Sequence, residues 1–131
     1  GAAPPRVSGR VTIARDMAKM LFSIAAVASG DPSARRDTGL TAHQARMALG
    51  WLLSSEQRSD NRSLLSGGLP RGTPIAQKNG WIRSARHGAG LIFDPSGTRI
   101  AVMLSYDAGG VSLAGGRAVG ARVASLAVAR R

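Results

Sequence analysis

Lys78, Asn79, Gly80 and Trp81 stand together at the end of a short apolar run, Pro74-Ile75-Ala76-Gln77, and their types could do chemistry. A lysine at a strand end presents a compact ammonium on a flexible stem, and a glycine two residues on lets another molecule come close to the backbone. Together they describe an anion site. Metal chemistry has nothing to build it, because the only histidines are His43 and His87, cysteine is absent and no carboxylates cluster. No Gly-x-Gly-x-x-Gly or P-loop spacing occurs, so neither a nucleotide nor another cofactor is expected.

The elements that must position these residues can be read from pattern. Leu91-Ile92-Phe93 and Ile100-Ala101-Val102-Met103-Leu104 are separated by Asp94-Pro95-Ser96-Gly97-Thr98, a turn cluster, and read as a β-hairpin. Pro74 to Lys78 has the length of a third strand. Upstream, Ile13, Met17, Met20, Leu21, Ile24 and Val27 recur at helical spacing, with Thr12 placed to cap and Gly30 to end that helix. Asp31 to Gly39 reads as a charged connection. Thr41-Ala42-His43-Gln44 forms a capping box before a second helix containing Met47, Leu49, Trp51, Leu52 and Leu53. The four methionines and Trp51 fall in apolar stretches and are expected in the core, with His43 in solvent.

A last helix runs from about Ser112 to Ala129. Its Gly116, Gly120 and Ala124 share one face, which predicts a close approach of the helix backbone to a sheet. The expected fold is therefore α+β, with three antiparallel strands packed by helices in the order helix, helix, strand, strand, strand, helix. Residues 1–11, with Pro4-Pro5, read as an extended arm, and 12–131 as the folded unit.

The chain of 131 residues carries a formal charge of +11. Only Lys19 and Lys78 are lysines; the other cations are arginines scattered singly or in pairs, with no basic stripe interleaved with aromatics. That distribution argues against a nucleic-acid groove, and a small basic nucleic-acid-binding protein remains an alternative. No apolar run approaches the roughly 18 residues of a membrane span.

Several segments in this order resemble the C-terminal half of the class A serine β-lactamase and penicillin-binding protein superfamily. They are VTIARDMAKML, LTAHQARMALGWL, LLSGGLPRGTPIAQKNGW, GLIFDPSGTRIAVML and ARVASLAV. The most specific part is Leu-Pro, a spacer, an apolar strand and Lys-x-Gly, which resembles the Lys-Thr-Gly motif on the strand that lines that family's active site. The resemblance implies that Lys78 holds the substrate carboxylate and supports proton transfer, and that the Trp81 backbone N–H is an oxyanion-hole donor. It makes Gly80 the motif glycine, puts Asn79 where threonine or serine is usual, and makes Arg86 or His87 a basic group near the substrate.

The same resemblance exposes a gap. Neither lysine follows a serine by three positions, so Ser-x-x-Lys is absent. Ser59-Asp60-Asn61 spells the family's second motif but lies in the segment matching a helix, and Glu56 falls there too, so neither takes its family role. These residues alone are expected to hydrolyse nothing. The implied partner is the missing N-terminal half of the domain, as a separate chain or a swapped copy, with Arg99 to Ser105 left as an open apolar edge without it. The implied whole is a bacterial, secreted or cell-envelope serine hydrolase of β-lactams, or of a peptidoglycan-like substrate; a degenerate, non-catalytic binding relative is the alternative.

Overall fold

In the computed structural model, residues 12–54 and 64–129 are described. They form helices α1 (Ala14–Ala28), α2 (Pro32–Thr38) and α3 (Ala42–Ser54), a 3-10 turn (Ser66–Gly68), strands β1 (Ile75–Ile82), β2 (Ala85–Asp94) and β3 (Gly97–Tyr106), and helix α4 (Leu113–Ala129). The α+β class and the single antiparallel sheet, ordered β1-β2-β3, are as expected. The arm and Ser59-Asp60-Asn61 lie outside the described residues.

The helix order gains one member. Asp31 to Gly39, expected as a connection, holds α2, because the Asp31 carboxylate accepts from the Ser33 and Ala34 N–H groups and Pro32 fills the first turn. Gly39 ends it at φ 69°, a left-handed position that suits glycine. No residue of α2 is buried, so hydrophobic periodicity could not announce it. Thr12 does not cap α1: Ile13 takes that place with no side-chain bond. The capping box of α3 forms as read, with the Thr41 N–H donating to Gln44 Oε1 at 2.9 Å and the Gln44 N–H to Thr41 Oγ1 at 3.2 Å.

Both hairpins close through two residues, Arg83-Ser84 between β1 and β2 and Pro95-Ser96 between β2 and β3, and pairing is unbroken along each. In the second turn the Asp94 carboxylate accepts from the Ser96 N–H at 3.0 Å. β1 extends past Lys78 to include Asn79, Gly80 and Trp81.

The strand period splits the sheet into two faces. Ala76, Ala89 and Leu91 pack with Leu21 of α1, beneath Leu49 and Leu52 of α3. Ile75, Ile92 and Ala101 pack on the other face with Leu65 and with Ala124 of α4. Three of the expected core residues are instead outside: Trp51 is 67% exposed, Met20 48% and Met47 42%, whereas Met103 is buried and Met17 is half-buried. The outer stripes of α1 and α3 carry apolar side chains that nothing among the described residues covers.

The glycine face of α4 is buried: Gly116 lies against Arg86 of β2 and Ala124 packs with Ile75, Ile92 and Ala101, as expected, but Gly120 meets backbone outside the sheet. A Cβ on Gly120 would lie 1.9 Å from the Leu64 carbonyl oxygen, and one on Gly68 would lie 1.8 Å from the Ala121 carbonyl. The helix therefore rests directly on the backbone of the Leu64–Gly68 segment, which in turn lies on the sheet. Gly120→Ala should destabilise the fold by about 3 kcal/mol, since backbone cannot retreat as a side-chain tip can. Gly50→Ala, in α3 with open space around it, should add about 0.5–1 kcal/mol; urea unfolding of the two variants reads the contrast.

Candidate functional site

Which way the backbone of β1 faces follows from one bond. The Phe93 N–H donates to the Pro74 carbonyl at 3.0 Å, so Ile75 and Ile92 are a pair that does not exchange bonds with each other. In an antiparallel ladder that class recurs at every second residue. Along the unbroken register, Gln77, Asn79 and Trp81 share it, and their backbone N–H and C=O groups point away from β2. Among the described residues no strand pairs with that side of β1. The Trp81 N–H thus faces outward from the sheet edge.

Lys78 comes to the same edge. Its side chain is exposed, and its ammonium donates to the outward-facing carbonyl of Asn79. A full positive charge and an outward backbone donor therefore lie within one strand repeat of each other. Lys78 leaves its apolar stem against a cavity of about 310 Å³ between α1 and α3, lined by Met20, Leu21, Ile24, Trp51 and Leu52 among others.

The other candidates divide between the two faces. His87 pairs with Gly80, which puts its side chain on the face of Lys78 and diagonal to it. Its Nδ1 accepts from the Ser105 N–H at 3.3 Å, which assigns the proton of a neutral ring to Nε2. Arg86 is on the opposite face, across from Trp81, with its guanidinium carbon 5.0 Å from the indole centroid. Asn79 is also on that opposite face: its side chain is 6% exposed, and a Cβ on Gly88 would lie 3.5 Å from its Oδ1. The arrangement gathers Lys78, Gly80, the Trp81 N–H and His87, and separates from them the side chains of Asn79 and Arg86. Residue type alone does not separate Arg86 from His87; strand parity from Lys78 through a two-residue turn puts them on opposite faces.

What this edge can do is hold an anion. An ammonium attracts a carboxylate, and a preorganised N–H stabilises charge that develops on a carbonyl oxygen. It supplies no nucleophile: among the described residues, no serine is paired with Lys78.

Among the described residues no strand pairs with the far side of the sheet either. The Asp107 N–H donates to the Ser84 carbonyl at 2.9 Å, so by the same parity Ile100, Val102 and Leu104 direct backbone groups outward from β3. Beside this edge lies a groove of about 440 Å³, floored by Ile100, Ala101 and Val102 and walled by Val123, Leu126 and Ala127 of α4.

A family model described as "Beta-lactamase enzyme family" matches residues 2–130. Two solved structures are similar in fold, both with a TM-score of 0.61. One is PBP-A, 23% identical, covering 86% of this chain and 37% of its own; the other is a point mutant of PBP-A as an acyl-enzyme complex with penicillin G, 22% identical, covering 89% and 40%. The chain thus spans about two fifths of the length of those proteins. No curated protein matches the chain.

The outward class of Trp81 is open to test without any substrate. Trp81→Pro removes an N–H that no ladder bond uses and should cost under about 1 kcal/mol beyond the lost ring packing, whereas Gly80→Pro removes a bond to His87 and should cost about 3 kcal/mol. Thermal unfolding of the two variants measures the difference; equal losses would reverse the parity.

Proposed function

The chain belongs to the β-lactamase enzyme family, and from that premise we propose that it is the C-terminal portion of a serine β-lactamase-like hydrolase. The observation that carries the proposal is the shared edge of β1, where the Lys78 ammonium and the outward Trp81 N–H lie together. A β-lactam brings a carboxylate and a strained amide within one small molecule. Lys78 attracts the carboxylate, Gly80 leaves the approach to the backbone unobstructed, and the Trp81 N–H donates to the carbonyl oxygen as it gains charge. His87, on the face of Lys78, donates from Nε2 to the same carboxylate.

The nucleophile comes from the portion of the domain that this chain lacks. The open edge of β3 and the groove against α4 suit an added strand and helix, and the apolar stripes of α1 and α3 suit further helices. The proposed partner is therefore the N-terminal half of the same domain, and the chain alone is inactive. A penicillin-type or peptidoglycan-like substrate places the protein at the bacterial cell envelope, outside the cytoplasm.

A second reading drops the chemistry and keeps the edge as a binding site for peptidoglycan fragments. Burial of the Asn79 amide favours it, since the polar side chain that usually flanks the motif lysine does not reach the anion. The discriminating experiment is labelling with a fluorescent penicillin, alongside hydrolysis of a chromogenic cephalosporin, using this chain together with its N-terminal half. Covalent labelling of a serine supports the enzyme; reversible binding without labelling supports the second reading. In the enzyme, Lys78→Ala should slow acylation by about 10²–10³-fold, and His87→Ala should raise KM by about tenfold with little change in kcat.

A further inference from the structure

Trp81 is the penultimate residue of an edge strand. The residue is 42% exposed, and its neighbour Ile82 is 66% exposed, so core packing does not hold this end of β1. The ring is instead covered by Arg86, whose guanidinium lies 5.0 Å from its centroid. Arg86 is itself fixed from three directions. Its Nε donates to the Val111 carbonyl at 3.2 Å; its carbonyl accepts from the Ser105 hydroxyl at 2.5 Å; and its stem lies against Gly116, where a Cβ would come within 3.2 Å of the Arg86 Cβ and Cγ. The Val111 N–H in turn donates to the Arg83 carbonyl in the turn after β1, at 3.1 Å.

We propose that Arg86 is a positioning residue, clamping the Trp81 ring to the segment that leads into α4 so that the Trp81 backbone N–H holds its aim out of the sheet edge. The proposal rests on the function proposed above for that N–H. Arginine is suited to the task because a planar guanidinium can cover an aromatic face while donating in its own plane. Lysine keeps the charge and loses that combination. Arg86 thus acts through Trp81 and does not touch the substrate, on whose side of the sheet it does not lie.

The test uses the full domain carrying Trp51→Phe, so that Trp81 is the only tryptophan of this chain, with any tryptophan of the other half also replaced. Arg86→Gln and Arg86→Lys are compared with it in Trp81 fluorescence, in the acylation rate by penicillin and in reversible affinity for the same compound. Both variants should shift Trp81 emission to the red and open it to acrylamide. Acylation should slow by about 10–100-fold, because displacing a catalytic group by about 1 Å is costly, while affinity stays within about twofold. Unchanged emission overturns the clamp whether or not the protein acylates. A shifted emission with an unchanged acylation rate overturns the positioning role, as does rescue of both rate and affinity by lysine, which would mark a direct charge contact with substrate. If the parent does not acylate yet emission shifts, the clamp is supported and the proposed function alone falls.

Discussion

Two peptide backbones in contact set the rest of the structure. Gly120 of α4 and Gly68 of the 3-10 turn each lie against a carbonyl of the other segment, at distances that no side chain could share. The contact presses Leu64 and Leu65, both fully buried, down onto the sheet. The sheet answers with glycines of its own: a Cβ on Gly88 would lie 3.4 Å from Leu65 Cγ, and one on Gly90 would lie 3.1 Å from Leu65 Cδ1. Small residues in helix and strand thus accommodate two leucines between them, and the layer they form supports β1 from below through Ile75. With one face of β1 held in this way, its outer edge keeps its shape although no strand among the described residues pairs with it.

The glycine row of α4 was legible in the sequence, and what it approaches only in part. Four-residue spacing of Gly116, Gly120 and Ala124 announces a close contact with a sheet, which Gly116 and Ala124 make; the contact of Gly120 with the Leu64 backbone is one that spacing cannot show. The hairpin and the capping box were legible because each is a local bargain between neighbouring residues. α2 is harder to read because its signal is local as well but of another kind, a cap and a proline without an apolar stripe. Hydrophobicity alone puts Trp51, Met20 and Met47 in the core. That rule assumes the whole of the fold is at hand, and in a chain covering about two fifths of its structural relatives an apolar stripe can await something outside it.

For the site, the sequence supplied residue types and could not supply sides. Lys78, Asn79, Gly80 and Trp81 are consecutive, so a strand must send their side chains alternately to opposite faces and their backbone groups alternately to opposite edges. The motif is therefore not a patch of four side chains. It is one side chain with a reach long enough to bend around the edge, one absent side chain and one backbone donor. Asn79 and the indole of Trp81 go to the far face, where Asn79 is packed and Trp81 meets Arg86.

Such a site depends on register more than on the identity of any one residue, Lys78 apart. A slip of one residue between β1 and β2 would turn the Trp81 N–H inward and move His87 away from Lys78. Two features oppose it. The Arg83-Ser84 and Pro95-Ser96 connections are two residues long, which leaves no slack to absorb a shift. The Val111 N–H also bonds the Arg83 carbonyl, tying the first of those turns to the approach of α4. The same helix whose glycines settle on Leu64 thereby fixes the turn that ends β1, and the direction of an edge N–H is set by packing on the opposite side of the sheet.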